Sequence, residues 1–197
     1  MAKNVFISFR FNDGKKYKDY LSSLFDRYID TVDYSEDLDR SYLSDEKIRQ
    51  YLYGKLRRSS ITIVLLTPLA INHKKDWLGK YDDWMYDEIR YSLEDRDFNR
   101  TNGLIAVYTP EAADMLVKAQ SSGSICVYNV DNLSRKNMMN VKEQYKKNPS
   151  PGLFDRDFDS YCSLLEWSDF IHNIGMYIDI ASAKRDMLYK YNIVKRL

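Results

Sequence analysis

The sequence predicts an α/β fold of three layers, in which a central parallel sheet is covered by helices on both faces. Near-continuous apolar runs at 4–9, 60–66 and 103–108 support it, because strands that are buried on both faces are apolar throughout. Helical patterns lie between these runs, and strands that alternate with helices favour parallel pairing. We therefore expect a parallel sheet whose ligand site lies at the carboxyl ends of its strands.

The elements follow in order along the chain. The first run, NVFISF, is the first strand, and a helix follows it because apolar residues recur at helical spacing over 17–28. A short second strand is expected at 31–33, and the polar segment 34–43 is expected to be a loop. Ser44 is placed to cap a helix that runs to about residue 58.

The β-branched run 60–66 is the predicted central strand, and further strands are expected at 103–108, 124–128 and 161–167. Ser168 is expected to cap a final helix, which the tail 187–197 could extend. Its predicted apolar face consists of Ile171, Ile174, Tyr177, Ile178 and Ala181. We expect one domain over 1–197, with an irregular insertion around 130–156 and the C-terminal helix from about 168.

Composition excludes several classes of function. Thirty basic and 29 acidic residues give a net charge of +1, so we expect neither nucleic acid nor an anionic membrane as a partner. A signal-peptide pattern and a run of about 18 apolar residues are both lacking, which favours a cytoplasmic protein. Cys126 and Cys162 lie in apolar runs and are expected to be buried thiols.

Common catalytic motifs are also lacking. A dinucleotide-binding turn needs three spaced glycines, whereas Gly14 alone follows the first strand, and neither GxxxxGK[ST] nor GxSxG occurs. A phospho-acceptor Asp at the end of the central strand is replaced by Thr67 and Pro68. His73 and His172 are isolated, so no metal site is expected.

One carboxylate remains as a candidate for chemistry. In the segment DWMYDEIRYSL, Met85, Ile89 and Leu93 form one helical stripe, while Trp84 and Glu88 lie on the neighbouring stripe. An indole one turn before a Glu offers that Glu an apolar wall and a ligand a stacking surface. The alternatives are a solvent-facing rim glutamate and a Trp84 that only packs in the core.

A lone carboxylate suits cleavage of a glycosidic bond whose leaving group departs already neutral, because no general acid is then required. Nicotinamide leaving NAD is such a case, and a nearby carboxylate stabilises the oxocarbenium ion that forms. At the predicted strand ends stand Phe9, Arg10, Phe11, Asn12 and Thr67 as candidate substrate contacts. For Arg10 the alternatives are a phosphate or an ion pair with a nearby aspartate.

Two segments resemble Toll/interleukin-1 receptor (TIR) domains. NVFISFRFND is similar to the plant TIR opening DVFLSFRGED, with Phe11 in place of Gly, and DWMYDEI is similar to the TIR pattern SxWCxxEL. The closing LLEWSDF and the helix after it look like the bacterial TIR-like group that includes the ThsB proteins of Thoeris antiphage defence. The resemblance implies a TIR/flavodoxin-like fold.

It also implies a function. Glu88 would be the NAD-cleaving residue, and the product would be an ADP-ribose-derived, cyclic signal that activates a separate effector. NAD is then a substrate and no cofactor is expected. The implied partners are further copies of the chain, an effector reached by a diffusible nucleotide, and a phage-derived trigger. Phe9, Arg10, Phe11 and Asn12 would contact the nucleotide, and the loop 34–43 would gate the pocket.

Two alternatives stay open. Many TIR domains signal by contact alone, so the chain could be an interaction module without enzymatic activity. It could also be a nucleoside deoxyribosyltransferase-like enzyme, which sets a Glu beside a sugar in an α/β fold. Nicotinamide release distinguishes the first alternative, and base exchange with deoxynucleosides distinguishes the second.

Overall fold

A computed structural model of the protein describes residues 3–28, 31–33, 45–71, 84–95, 99–119, 125–127 and 133–197. Its strands are β1 (Lys3–Ser8), β2 (Thr31–Asp33), β3 (Ile61–Leu66), β4 (Gly103–Tyr108), β5 (Val117–Ala119), β6 (Ile125–Val127) and β7 (Cys162–Glu166). All but β5 and β6 form one parallel sheet in the order β2-β1-β3-β4-β7. The predicted central strand, β3, is the middle strand of this sheet.

The helices surround the sheet. They are α1 (Phe11–Tyr28), α2 (Asp45–Leu56), α3 (Trp84–Leu93), α4 (Ala113–Leu116), α5 (Leu133–Lys136), α6 (Trp167–His172) and α7 (Ile174–Asp186). Three short 3-10 turns lie at Pro110–Ala112, Glu143–Tyr145 and Leu188–Lys190. Within the described part of the chain, every helix is too short or too polar to span a bilayer.

Alternate residues of β3 face two different cores. Ile61, Ile63 and Leu65 pack with α1, α6 and α7, whereas Val64 and Leu66 pack with α3 and α5. All five side chains are fully buried, because helices cover both faces of the sheet. This confirms the predicted α/β fold of three layers with a TIR/flavodoxin-like arrangement.

The strand predicted at 124–128 exists as β6, but it lies outside the parallel sheet. It pairs antiparallel with β5 in a separate two-stranded sheet. Only five residues separate β5 from β6, and a parallel connection needs a crossover of about a dozen residues or more. The chain therefore returns as a hairpin at this point.

The C-terminal helix predicted from residue 168 is two helices. Glu166 precedes α6 as its N-cap and Ser168 lies inside α6, so the predicted Ser168 cap is wrong. Asn173 separates α6 from α7, and its side-chain amide donates to the carbonyl of Asp169 at 3.2 Å. Such local side-chain bonds compete with helix continuation. Ile174, Tyr177, Ile178 and Ala181 of the predicted apolar face are buried.

The tail does not extend α7. After the 3-10 turn it runs extended beside residues 140–142, and Val141 bridges to Tyr191. The backbone N–H of Lys142 donates to the carbonyl of Lys190 at 2.8 Å, and that of Asn192 to the carbonyl of Asn140 at 2.9 Å. The tail thus satisfies its backbone groups on the segment predicted to be irregular. The predicted loop 34–43 and the cap Ser44 lie outside the described residues.

A lysine of α7 is buried against the sheet. Lys184 is 3% exposed, and its Nζ donates to Ser163 Oγ at 2.7 Å. Burial lowers the pKa of Lys184 to about 8. Cys162 is buried, as predicted, and burial raises the pKa of its thiol to about 12. The side chain of Cys126 is not among those described.

We expect Lys184→Met to stabilise the protein. The pKa of Lys184 is lower in the native state than in the unfolded state, so the unfolded state binds more protons between about pH 8 and 10.5. Wild-type stability therefore rises with pH in that window. Below about pH 8 the native state carries the full cost of a buried charge, on the order of 3 kcal/mol. Urea unfolding should show the variant more stable at pH 7, with an advantage that shrinks toward pH 10. An advantage independent of pH would contradict this.

Gly103 and Gly54 provide a matched pair of substitutions. A Cβ at Gly103 would lie 2.5 Å from the carbonyl oxygen of Ala181, whereas a Cβ at Gly54 would meet nothing within 4 Å. Gly103→Ala should lower the free energy of unfolding by about 1–3 kcal/mol, because α7 must move off β4. Gly54→Ala should raise it by about 0.5–1 kcal/mol, because alanine favours the interior of α2. Equal effects in urea unfolding would show that α7 does not approach β4 this closely.

Candidate functional site

The sheet has a topological switch point between β1 and β3. The chain leaves β1 for β2 on one side and then crosses back to β3 on the other side. Connections that leave in opposite directions open a crevice at the carboxyl ends of the two strands, where ligands of such folds bind. Ser8 is the last residue of β1, and Thr67 is the first residue after β3.

Glu88 reaches this edge from α3. Met85, Ile89 and Leu93 are buried against the sheet, as the helical stripe predicts, and this packing places the neighbouring stripe near the end of β1. The Glu88 side chain is 8% exposed, and Ser8 Oγ donates to its Oε2 at 2.6 Å. The acid is therefore buried at the switch point, and the alternative of a solvent-facing rim glutamate is wrong.

Burial changes what this carboxylate can do. A charge is screened less in the protein interior than in water, so it acts more strongly on a neighbouring cation. The 2.6 Å bond from Ser8 holds one oxygen in a fixed place. The site thus presents an oriented acceptor at the end of a strand.

Trp84 is the first residue of α3 and packs against α2. It is half-buried against a cluster that contains Phe6, Leu52 and Tyr91, and the guanidinium carbon of Arg49 lies 5.7 Å from its ring centre. Core packing and a cation–π contact therefore account for much of this side chain. Its predicted role as a wall for the substrate stays a prediction.

The residues after β1 form a partly exposed turn, Phe9 and Arg10, and the first residues of α1, Phe11 and Asn12. Phe9 and Arg10 are half-buried, whereas Phe11 is 42% exposed and Asn12 is exposed. The rings of Phe9 and Phe11 are stacked with centres 6.3 Å apart. Gly14 donates its backbone N–H to the carbonyl of Arg10 at 2.7 Å, which closes the first turn of α1. The structure brings all four predicted residues to the edge at the end of β1.

Thr67 ties this segment to the end of β3. It is fully buried, and its Oγ1 donates to Asp13 Oδ1 at 2.8 Å. The backbone N–H of Leu69 donates to the other oxygen of Asp13 at 3.0 Å. Thr67 thus positions the start of α1 through Asp13, and sequence reasoning did not identify this bond.

A cleft of about 470 Å³ opens beside these residues. It lies at the carboxyl ends of β1, β3 and β4, and its described lining consists of Asn12, Asp13, Lys15, Lys16, Pro68, Thr109 and Glu111. Glu88 is not part of that lining. Ser8 contacts Glu88 and Asn12 lines the cleft, so both belong to the edge at which β1 ends.

Glu111 is a charged residue of the cleft that sequence reasoning missed. Hydrogen bonds from Lys16, at 2.7 Å, and from Tyr17 hold the pKa of Glu111 at about 2. Glu111 follows β4 as Thr67 follows β3, so the rule that ligands bind at strand ends could have identified it. This carboxylate stays ionised at neutral pH and keeps Lys16 in a fixed place.

The strand order and the buried acid after β3 define an α/β protein of the TIR-like, flavodoxin-like class. A model of the family described as Thoeris protein ThsB, TIR-like domain, matches residues 6–114, which is more than half of the chain. The chain belongs to this ThsB TIR-like family. The match confirms the resemblance drawn from NVFISFRFND and DWMYDEI, and it runs from the second half of β1 through β4, with Ser8, Thr67 and Glu88.

We predict that Ser8 and Glu88 are energetically coupled. Ser8→Ala should lower the free energy of unfolding by about 1.5–3 kcal/mol in the wild type, because a buried carboxylate loses a charge-assisted bond. In the background of Glu88→Gln the same substitution should cost about 0.5–1.5 kcal/mol, because the bond is then neutral. A double-mutant cycle in urea measures the difference. Identical costs in both backgrounds would mean that the bond carries no charge-dependent energy.

Proposed function

We propose that the chain cleaves NAD at the bond between nicotinamide and ribose and forms an ADP-ribose-derived, cyclic signal that activates a separate effector. One observation carries the proposal. The Glu88 carboxylate is buried at the switch point of the sheet and held there by Ser8. Membership of the ThsB TIR-like family supports a place in Thoeris-type defence.

The chemistry needs little besides this carboxylate. The C1′–N bond breaks, its electron pair leaves with nicotinamide, and positive charge spreads over C1′ and the ring oxygen of the ribose. Glu88 would stabilise that charge and accept hydrogen bonds from the ribose hydroxyls. Nicotinamide departs neutral, so a general acid is not required. A nucleophile then attacks C1′ and loses a proton, and a nucleophile from the same nucleotide gives a cyclic product.

The cleft at the same edge of the sheet suits the remainder of the nucleotide. Its volume of about 470 Å³ lies in the range typical of small-molecule sites. Asn12, Lys15 and Lys16 stand at the first turns of α1, whose amino end favours negative charge, so we place the diphosphate there. Lys16 would then exchange its bond with Glu111 for a phosphate oxygen. Phe9, Arg10, Phe11 and Thr67 would complete the substrate contacts.

We expect Glu88→Gln to abolish nicotinamide release while leaving the fold intact, because the swap keeps shape and removes the charge. The matched control is Glu94→Gln, which changes a buried glutamate at the end of the same helix. Glu94 pairs with Arg90 and Arg196. The control should lower stability but keep turnover within about twofold, because Glu94 lies far from the reacting bond. Nicotinamide is measured by chromatography from protein clustered on streptavidin, which supplies self-association.

The outcomes separate the alternatives. Equal release by wild type and Glu88→Gln would remove the mechanism. Base exchange between deoxynucleosides, with indifference to NAD, would identify a deoxyribosyltransferase-like enzyme. Clustered wild type that acts on neither substrate would support an interaction module instead. Mass spectrometry of the nucleotide product would then distinguish linear from cyclic ADP-ribose.

A further inference from the structure

Four aromatic side chains outside the region that the family model matches are exposed to solvent. Tyr145, Phe154, Phe158 and Tyr189 are each between 38% and 59% exposed. Single exposed apolar residues are ordinary on protein surfaces, but contiguous patches of them mark interaction sites. Leu153, beside Phe154, adds an aliphatic side chain that is 50% exposed.

These rings contact three lysines in three groups, and the consecutive residues Tyr145, Lys146 and Lys147 belong one to each group. The ring of Tyr145 packs edge-on against Tyr189 at 5.6 Å, and Lys190 Nζ lies 6.0 Å from both ring centres. Lys146 Nζ lies 4.6 Å from the centre of Phe154, and Lys147 Nζ lies 4.1 Å from that of Phe158. We name this set the aromatic–lysine surface: Tyr145, Lys146, Lys147, Phe154, Phe158, Tyr189 and Lys190.

The aromatic–lysine surface is mounted on a fixed frame. The fully buried Asp159 accepts hydrogen bonds from the backbone N–H of Lys147 at 2.7 Å and of Asp155 at 2.8 Å. Tyr191 OH donates to the carbonyl of Phe158 at 3.0 Å, which joins the tail to the same segment. Because the backbone beneath the rings is already ordered, a partner that binds there need not order it, which lowers the cost of binding.

Charge indicates the kind of partner. Residues 142–158 and 189–190 carry four lysines and Arg156 against Glu143, Asp155 and Asp157, an excess of two positive charges. Lys147 already pairs with Asp155 at 3.1 Å. The aromatic–lysine surface therefore combines apolar area with excess positive charge, and a complementary surface combines apolar side chains with negative charge. We propose that it binds a protein segment in which carboxylates alternate with apolar side chains. The carboxylates pair with the lysines, and the apolar side chains contact the rings and Leu153.

Single-stranded nucleic acid fits the same surface less well. Binding of unpaired bases relies on open aromatic faces on which bases stack, together with a strongly basic groove. Here lysine ammonium groups already lie over the faces of Phe154 and Phe158. The net charge of the chain is only +1. An acidic polypeptide leaves these cation–π contacts in place and uses the same ammonium groups for ion pairs.

The test measures, by fluorescence anisotropy, the binding of a fluorescein-labelled peptide that repeats Asp-Phe-Glu-Leu to the full chain. We expect the peptide to bind the wild type and a peptide that repeats Lys-Phe-Lys-Leu not to bind. Affinity should fall about tenfold or more in Lys146→Glu with Lys147→Glu, and likewise in Tyr145→Ser with Phe158→Ser. Added salt should weaken binding, because exposed ion pairs are screened.

A matched control changes the same residue types elsewhere. Met176 and Lys195 are exposed and lie outside the aromatic–lysine surface, so Met176→Ser with Lys195→Glu should bind the acidic peptide like the wild type. Circular dichroism confirms that each variant is folded. The two double variants act through different chemistry, so the test still stands if one of them fails to fold.

Four results would overturn the proposal. The first is no binding of the acidic peptide to the wild type, and the second is an equal loss of affinity in the control variant. The third is tighter binding of oligothymidylate with loss in the same double variants, which would assign the surface to nucleic acid. The fourth is self-association of the wild type that both double variants abolish, which would assign it to a second copy. Each result leaves the proposal for Glu88 unaffected, because the two sites share no residue.

Discussion

A hydrogen bond from Ser8 to Glu88 is the contact on which the candidate site depends, because it holds a buried carboxylate at the end of a central strand. A carboxylate removed from water is costly unless it is hydrogen-bonded, and it is useful because its charge acts on whatever lies next to it. Each partner comes from a different element. Ser8 ends β1, and Glu88 stands on α3. The bond therefore forms only when this strand and this helix are both in place.

The remainder of the fold supplies that alignment. The strand β3 is fully buried in the middle of the sheet, and α3 packs on the sheet through Met85, Ile89 and Leu93. A second link from Thr67 to Asp13 fixes the start of α1 at the same edge. Strand order then opens a crevice between β1 and β3, so one edge carries the carboxylate, the amino end of a helix and a cleft.

Sequence reasoning identified the parallel sheet, its central strand and the stripe of α3, because these follow from local apolar periodicity. It also placed Glu88 beside an apolar stripe, from the Trp84 and Glu88 spacing. Features that depend on distant partners were not visible. The bond from Ser8 joins residues 80 positions apart. The strand β6 pairs with β5 as a hairpin, and Tyr191 of the tail bridges to Val141. Likewise, the break at Asn173 depends on a side-chain amide that periodicity does not register.

The aromatic–lysine surface and the carboxylate lie in different parts of the chain, one beyond the family match and one within it. The central claim concerns the carboxylate alone. A crystal structure of the chain with a carba analogue of NAD, which cannot lose nicotinamide, tests it most directly. The claim predicts that the hydroxyls of the nicotinamide-side sugar ring lie about 2.6–3.2 Å from the Glu88 oxygens, with the diphosphate near Asn12 and Lys16. An analogue bound with that ring away from Glu88, while Glu88 still contacts Ser8, would contradict it.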